Sequence, residues 1–274
     1  MSPRFTEWTQ ALQLGEVRLD IAAIGRPGTR APVVFLHGFG STKEDYADLV
    51  HHPDFDDRPF LAWDAPGCGA TTLDRPDRID LDLLVLTALK MIESKGFGRF
   101  HLVGHSMGGL TALLLAYRHP ERVLSFTSME GNLAPEDCFL SRQVQAYPVQ
   151  SDEAFFAAFI ERTRHGRDMA SALYAASLRH KVCAEAVRPI FRSMVAHSDE
   201  GGLLGKFLAL PCPRHFLYGE QNAHLSYLGA LSQAGVRLTE IPRCGHFPMY
   251  SNPVLMWWAL AEFFEESERY MAAG

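Results

Sequence analysis

The chain has 274 residues, 47% of them hydrophobic and 21% charged, proportions that exclude a disordered polymer and allow a sizeable buried core. Its formal net charge of -6 leaves no surplus of Lys and Arg to replace phosphate counterions. That balance argues against nucleic-acid binding and points to a small molecule or a protein as partner.

In chain order, the opening MSPRFTEWTQALQLG lacks a basic start followed by an apolar run. No secretory signal is expected, and the mature chain is expected to begin near Met1. Strand signals then run from VRLDIAAIG through APVVFLHG, RPFLAWDAPG, RFHLVGHS, VLSFTSME, PRHFLYGE and VRLTEIP. Several are apolar at successive positions, as strands covered on both faces are. Helical patterns lie between them near residues 41–50, 79–95 and 107–119, with a last one from Pro253 to Met271. This alternation predicts an α/β protein with a mostly parallel, twisted sheet flanked by helices, and a ligand site just beyond the carboxyl ends of the strands.

The alternation lapses between Gly131 and Leu210, where DEAFFAAFIERTRHG, DMASALYAASLRH and AEAVRPIFRSMVAH carry helical spacing and no convincing strand. The expected division is therefore a core of residues 1–130 and 211–274 with a helical cap insertion over 131–210. The C-terminal run VLMWWALAEFF is too short to span a bilayer and reads as a docking helix, so no membrane span is expected. Cys68, Cys138, Cys183, Cys212 and Cys244 are scattered without C-x-x-C spacing, which predicts reduced thiols and a cytoplasmic protein.

The stretch GHSMG, residues 104–108, fits G-x-S-x-G, in which a sharp turn from strand to helix projects the serine and small neighbours avoid a clash. An apolar strand signal precedes it and a helical one follows, so Ser106 is the candidate nucleophile. A serine hydroxyl is a weak nucleophile at neutral pH and needs a base and a site for the developing oxyanion. Of twelve histidines, His246 follows the last strand signal in a Gly-containing loop, where it can reach the sheet's ligand end and exchange a proton with Ser106. His37 and His105 flank motif glycines and read as orienting or packing groups.

Taken together, LHGFG at 36–40, DAPGCGAT at 64–71, GHSMGG at 104–109 and CGHFPMYSNP at 244–253 stand in the order found in the α/β-hydrolase superfamily, which the chain resembles over nearly its whole length. The resemblance implies the α/β-hydrolase fold, makes His246 the base, and assigns the oxyanion hole to the backbone N–H groups of Met107 and Phe39. It also implies an acid after the penultimate strand in a pattern like YG-x-x-D. Here that stretch reads LYGEQNAH, with Asn222 in the expected place and Glu220 out of register.

Some branches of the superfamily, haloalkane dehalogenases among them, carry the acid after an earlier strand, where this chain has Glu130. An acidic residue closing an apolar strand is costly to bury without a partner. Glu130 is therefore favoured over Glu220. Asp64 reads as a turn organiser and Cys68 as a buried thiol, while Phe139, Phe247 and Met249, with Phe39, Trp63 and Met107, are candidates for an apolar substrate pocket.

The expected activity is hydrolysis of a small acyl ester or thioester through an acyl-enzyme on Ser106. The alternatives are acyl transfer with the same residues and a weakly catalytic ligand receptor on the same fold. No cofactor is required, and no H-E-x-x-H or similar metal spacing is present in the sequence. A serine nucleophile argues against dehalogenase and epoxide hydrolase chemistry, which uses Asp.

Overall fold

Short apolar runs fill the middle of the molecule. In the computed structural model, which describes residues 4–147, 151–166 and 170–273, they form the parallel part of a nine-stranded sheet. Met1, and Asp168 and Met169 at the head of one predicted helical run, lie outside the described residues.

A hairpin of β1 (Thr6–Leu14) and β2 (Val17–Arg26) leads into β3 (Val33–Leu36), β4 (Phe60–Trp63) and a short β5 (Thr72–Leu73). Helix α1 (Leu81–Ser94), β6 (Phe100–His105), α2 (Met107–Arg118) and β7 (Val123–Met129) follow. Beyond β7 come α3 (Gln143–Ala146), α4 (Asp152–Arg164), α5 (Ser171–Lys181), α6 (Ala184–Glu200) and α7 (Leu203–Leu208). The chain then closes with β8 (Arg214–Gly219), α8 (Leu228–Gln233), β9 (Arg237–Ile241), α9 (Pro248–Ser251) and α10 (Pro253–Ala273).

The strand order is β1-β2-β4-β3-β6-β7-β8-β9, with β5 paired to β2. All pairings from β4 to β9 are parallel and those of β2 are antiparallel. Every residue of β3, β6 and β7 is buried, which accounts for apolar residues at successive positions in them, without the alternation of a half-exposed strand. Local signals set several helix starts. Asp80 accepts the Leu83 N–H at 2.8 Å ahead of α1, and Asn252 accepts the Leu255 N–H at 3.3 Å ahead of α10, whose first residue is proline.

Two local expectations differ from the structure. Strand β1 was absent from the strand signals because only alternate residues, Trp8, Gln10, Leu12 and Leu14, turn away from solvent, and Gln10 interrupts the apolar pattern. The predicted helix near 41–50 is a 3-10 segment, Lys43–His51. Its start is pinned by Asp64, which accepts both the backbone N–H of Lys43, at 2.8 Å, and its ammonium, at 2.9 Å. The same carboxylate accepts the Ala70 N–H, so Asp64 does organise its turn.

Helices α3 to α7 occupy the connection between β7 and β8, and no strand interrupts them among the described residues. They are fastened to the core loop at residues 64–71. The Gly69 N–H donates to the Lys181 carbonyl at 2.8 Å, and the Cys183 N–H donates to that of Gly67 at 3.0 Å. Cys68, inside this seam, is fully buried, and burial pushes its thiol up to about 12, leaving it unreactive.

Candidate active site

Adjacent strands β6 and β7 run parallel with His105 opposite Met129, so the next residues, Ser106 and Glu130, leave the sheet side by side. Both have φ of 51°, a left-handed conformation that side chains other than glycine rarely adopt. Each is held there by the neighbouring strand. The Ser106 N–H donates to the Met129 carbonyl at 2.9 Å, and the Glu130 N–H donates to that of Leu217 at 3.0 Å.

The turn at Ser106 is tight enough to exclude side chains on both flanks. A Cβ on Gly104 would lie 2.4 Å from the Gly108 carbonyl oxygen, and one on Gly108 would lie 2.2 Å from that of Leu36. The glycines of G-x-S-x-G are thus required because α2 starts directly against its own strand and against β3. Ser106 occupies the position before the first turn of α2, where the Met107 N–H has no partner within the helix.

His246 arrives from the loop between β9 and α9, and only 6% of its surface is exposed. Its Nδ1 stands 3.6 Å from Glu130 Oε2. This is ion-pair range but longer than a hydrogen bond, and Nδ1 has no other partner. Glu130 itself is tightly held: Oε1 accepts the Gly219 N–H at 2.6 Å, and Oε2 accepts the Asn222 side-chain amide at 2.9 Å. Asn222 therefore donates a hydrogen bond to an acid coming from the neighbouring strand end. Glu220 turns outward and accepts the Arg243 N–H at 2.6 Å.

The other two motif histidines act on backbone. His105 Nε2 lies 2.7 Å from the carbonyl oxygen of His246, which can only accept, so Nε2 carries the hydrogen. Burial, with His246 and His37 nearby, holds His105 well below the usual histidine range and therefore neutral. His37 Nε2 accepts the Ala65 N–H at 2.8 Å, which leaves its Nδ1 to donate to the Gly38 carbonyl.

Ser106 and His246 share a narrow cleft enclosing about 350 Å³ with its mouth. Phe39, Phe191, Met194 and Tyr174 line one part of it, and the segment from Asp137 to Ser141 lines another. Phe39 packs against Phe191 at 4.6 Å and against Phe159 at 6.1 Å between ring centroids, forming an apolar wall beneath the helices. The Tyr174 hydroxyl, on α5, donates to the Phe39 carbonyl at 2.7 Å and fixes that loop. Phe139 is 55% exposed at the mouth, with its ring edge-on to His246 at 5.1 Å.

Phe139 and Phe247 line this cleft, whereas three other pocket candidates, contrary to expectation, do not. Met249 is buried but not in the lining; it sits inside the short helix α9, whereas Phe247 precedes that helix in a non-helical conformation. Trp63 and the Met107 side chain face a separate small cavity beneath His37 and Leu84. Met107 can contribute only its backbone to the cleft.

Asp137 and Ser141 were not singled out from the sequence. Asp137 accepts the N–H groups of Leu133 and Ala134, each at 2.8 Å, and the Tyr227 hydroxyl at 2.8 Å. Burial nevertheless pushes its carboxyl up to about 6. The acid at the third position of the turn PEDC marks a helix start, but nothing in that pattern shows that it borders a cleft.

Among the described residues, no three His, Cys, Asp or Glu side chains converge as a metal site would require, and no helix is long and apolar enough to cross a membrane.

A model of the alpha/beta hydrolase family matches residues 33–256. A monoacylglycerol lipase of Xenopus laevis is 23% identical over an alignment of 275 positions, covering 90% of this chain and 81% of that protein. A proline iminopeptidase of Lactobacillus acidophilus is 28% identical over 148 residues, covering 51% of this chain and 50% of its own. Among solved structures, a thermophilic esterase from Thermogutta terrifontis superposes with a TM-score of 0.73 at 20% identity, over 96% of this chain and 99% of that one. A carboxylesterase structure from Nitrososphaera gargenis gives 0.76 at 15% identity, over 95% and 99%. At such identities the structural likeness establishes the fold.

Proposed function

Because the chain belongs to the alpha/beta hydrolase family, and its relatives include lipases and peptidases, we propose that it is a serine hydrolase that cleaves a small carboxylic ester or thioester through an acyl-enzyme on Ser106. The observation that carries this reading is the placement of Ser106 and His246 in one cleft, with the Glu130 carboxylate 3.6 Å behind His246.

In this mechanism Ser106 Oγ attacks the acyl carbonyl while His246 takes its proton through Nε2. The backbone N–H groups of Met107 and Phe39 receive the oxyanion. Glu130 holds the ring so that Nδ1 carries its hydrogen, and it stabilises the imidazolium that forms. The 3.6 Å separation closes as the charge develops, since catalytic hydrogen bonds are commonly long before substrate binds. His246 then protonates the leaving alcohol or thiol, and water repeats the sequence to release the acid. Every proton transfer uses side chains of this chain, so the scheme calls for no cofactor.

Residues 131–210 act in this reading as a cap over the strand ends, with Phe139 at the entrance, and cysteines scattered without C-x-x-C spacing suit a cytoplasmic setting.

Labelling with a fluorophosphonate tests the nucleophile. One equivalent should attach to the folded protein and none to Ser106→Ala. An acyl-chain series of p-nitrophenyl esters and acyl-CoA thioesters then defines the substrate, and an added alcohol shows whether the acyl group passes to water or to another acceptor. Folded protein that neither labels nor turns over any member of the series would be a ligand receptor, and the proposal would fail.

A further inference from the structure

The cleft has two chemically different sides. Phe39, which offers the oxyanion N–H in the mechanism above, is packed among Phe159 and Phe191. His246, which must protonate the leaving group, is covered instead by the ring of Phe139. Phe139 belongs to the segment that also brings Asp137 and Ser141 to the lining. In the proposed mechanism the leaving alcohol departs on the His246 side, where Phe139 and its segment lie.

Ser141 is the unusual member of that segment. It is 2% exposed, it lines the cleft, and its hydroxyl has no hydrogen-bond partner in the protein. A buried hydroxyl left unpaired is destabilising, so such groups are uncommon in folded proteins unless something completes them. The other polar side chain on this part of the lining, Asp137, has one oxygen bonded to two backbone N–H groups and the other to Tyr227. A carboxylate oxygen with a single donor can accept another. Tyr174, the remaining polar lining residue apart from Ser106 and His246, is engaged by Phe39.

We infer that Ser141, with Asp137 one helical turn before it, forms a specificity subsite for a hydroxyl group carried by the leaving alcohol, so that the preferred substrates are monoesters of a diol or polyol. This rests on the ester-hydrolase reading and narrows it to a substrate class. The ligand hydroxyl donates to the free acceptor capacity of Asp137 and pairs with Ser141 Oγ, satisfying the orphaned group. An ester of a simple alkanol offers neither residue a partner.

The test compares ethyl butyrate with 2-hydroxyethyl butyrate, which differ by one hydroxyl on the leaving group. The wild-type protein should favour the hydroxyethyl ester in kcat/KM by about tenfold, the worth of one to two hydrogen bonds. Ser141→Ala should bring the ratio of kcat/KM between the two esters to near one. It should also melt no lower than wild type, because it deletes an unpaired buried group. Ser141→Cys, which keeps the volume and loses most of the hydrogen-bonding capacity, should match Ala.

Equal use of both esters by the wild type overturns the inference, as does a preference that survives in both variants. A merely structural role for Ser141 would lower the melting temperature and depress both esters together. Failure of the labelled, folded protein to cleave either ester would count instead against carboxylic esters as substrates, the reading beneath this one.

Discussion

Two neighbouring strand ends, those of β7 and β8, share a role that the related sequence pattern gives to one of them. Beyond β7, Glu130 turns inward at a strained φ and faces His246, with 7% of its surface exposed. Beyond β8, Asn222 offers an amide to Glu130, and Glu220 points to solvent and holds the Arg243 N–H. Parallel strands deliver their ends to the same rim, which brings Asn222 to the Glu130 carboxylate. Charge therefore follows geometry here, and the residue in the expected sequence position becomes a support for the acid.

The sharpest way to break this contrast is Glu130→Gln. It keeps the shape and removes the charge, and kcat should fall by about 10³- to 10⁴-fold with KM little changed. Activity within a few-fold of wild type would remove Glu130 from the site. A second measurement asks whether the β8 end can supply the acid again. Adding Asn222→Asp to Glu130→Gln should recover about tenfold in kcat. No recovery would mean that position 222 holds Glu130 but cannot itself serve His246.

Smaller effects sharpen the division further. Asn222→Ala removes one donor to a carboxylate and should lower kcat by about tenfold through displacement of Glu130. Asn222→Asp alone would place two carboxylates together and should cost at least as much. Glu220→Gln, the smallest change, should leave kcat/KM within about twofold, as expected for an exposed side chain outside the cleft.

The sequence was most legible where spacing and backbone geometry coincide. Fully buried β3 announces itself as an unbroken apolar run, β6 and β7 carry apolar residues at successive positions, and the glycines around Ser106 are obligatory because no Cβ fits there. Glu130 could be singled out because a charge closing a buried strand demands a partner. The donor role of Asn222 could not, since an amide in place of an expected acid reads only as a loss. Ser141 was silent for a different reason: an unpaired hydroxyl is a property of the folded surroundings, and a serine in SRQVQAY carries no mark of it. Met249 shows the converse, an apolar residue close to His246 in sequence whose side chain lies outside the cleft lining.

The bond from His105 Nε2 to the carbonyl of His246 joins residues 141 positions apart. It is a strut across the cleft, fixed at one end to the residue immediately before Ser106, the proposed nucleophile, and at the other to the backbone of His246, the proposed base. Their separation is thereby gauged by a single rigid ring and insulated from the tolerance of the long chain between them. Movement of the C-terminal loop must carry this strut along or break it, and burial keeps the ring neutral through mild acidification, so that no charge appears on it beside His246.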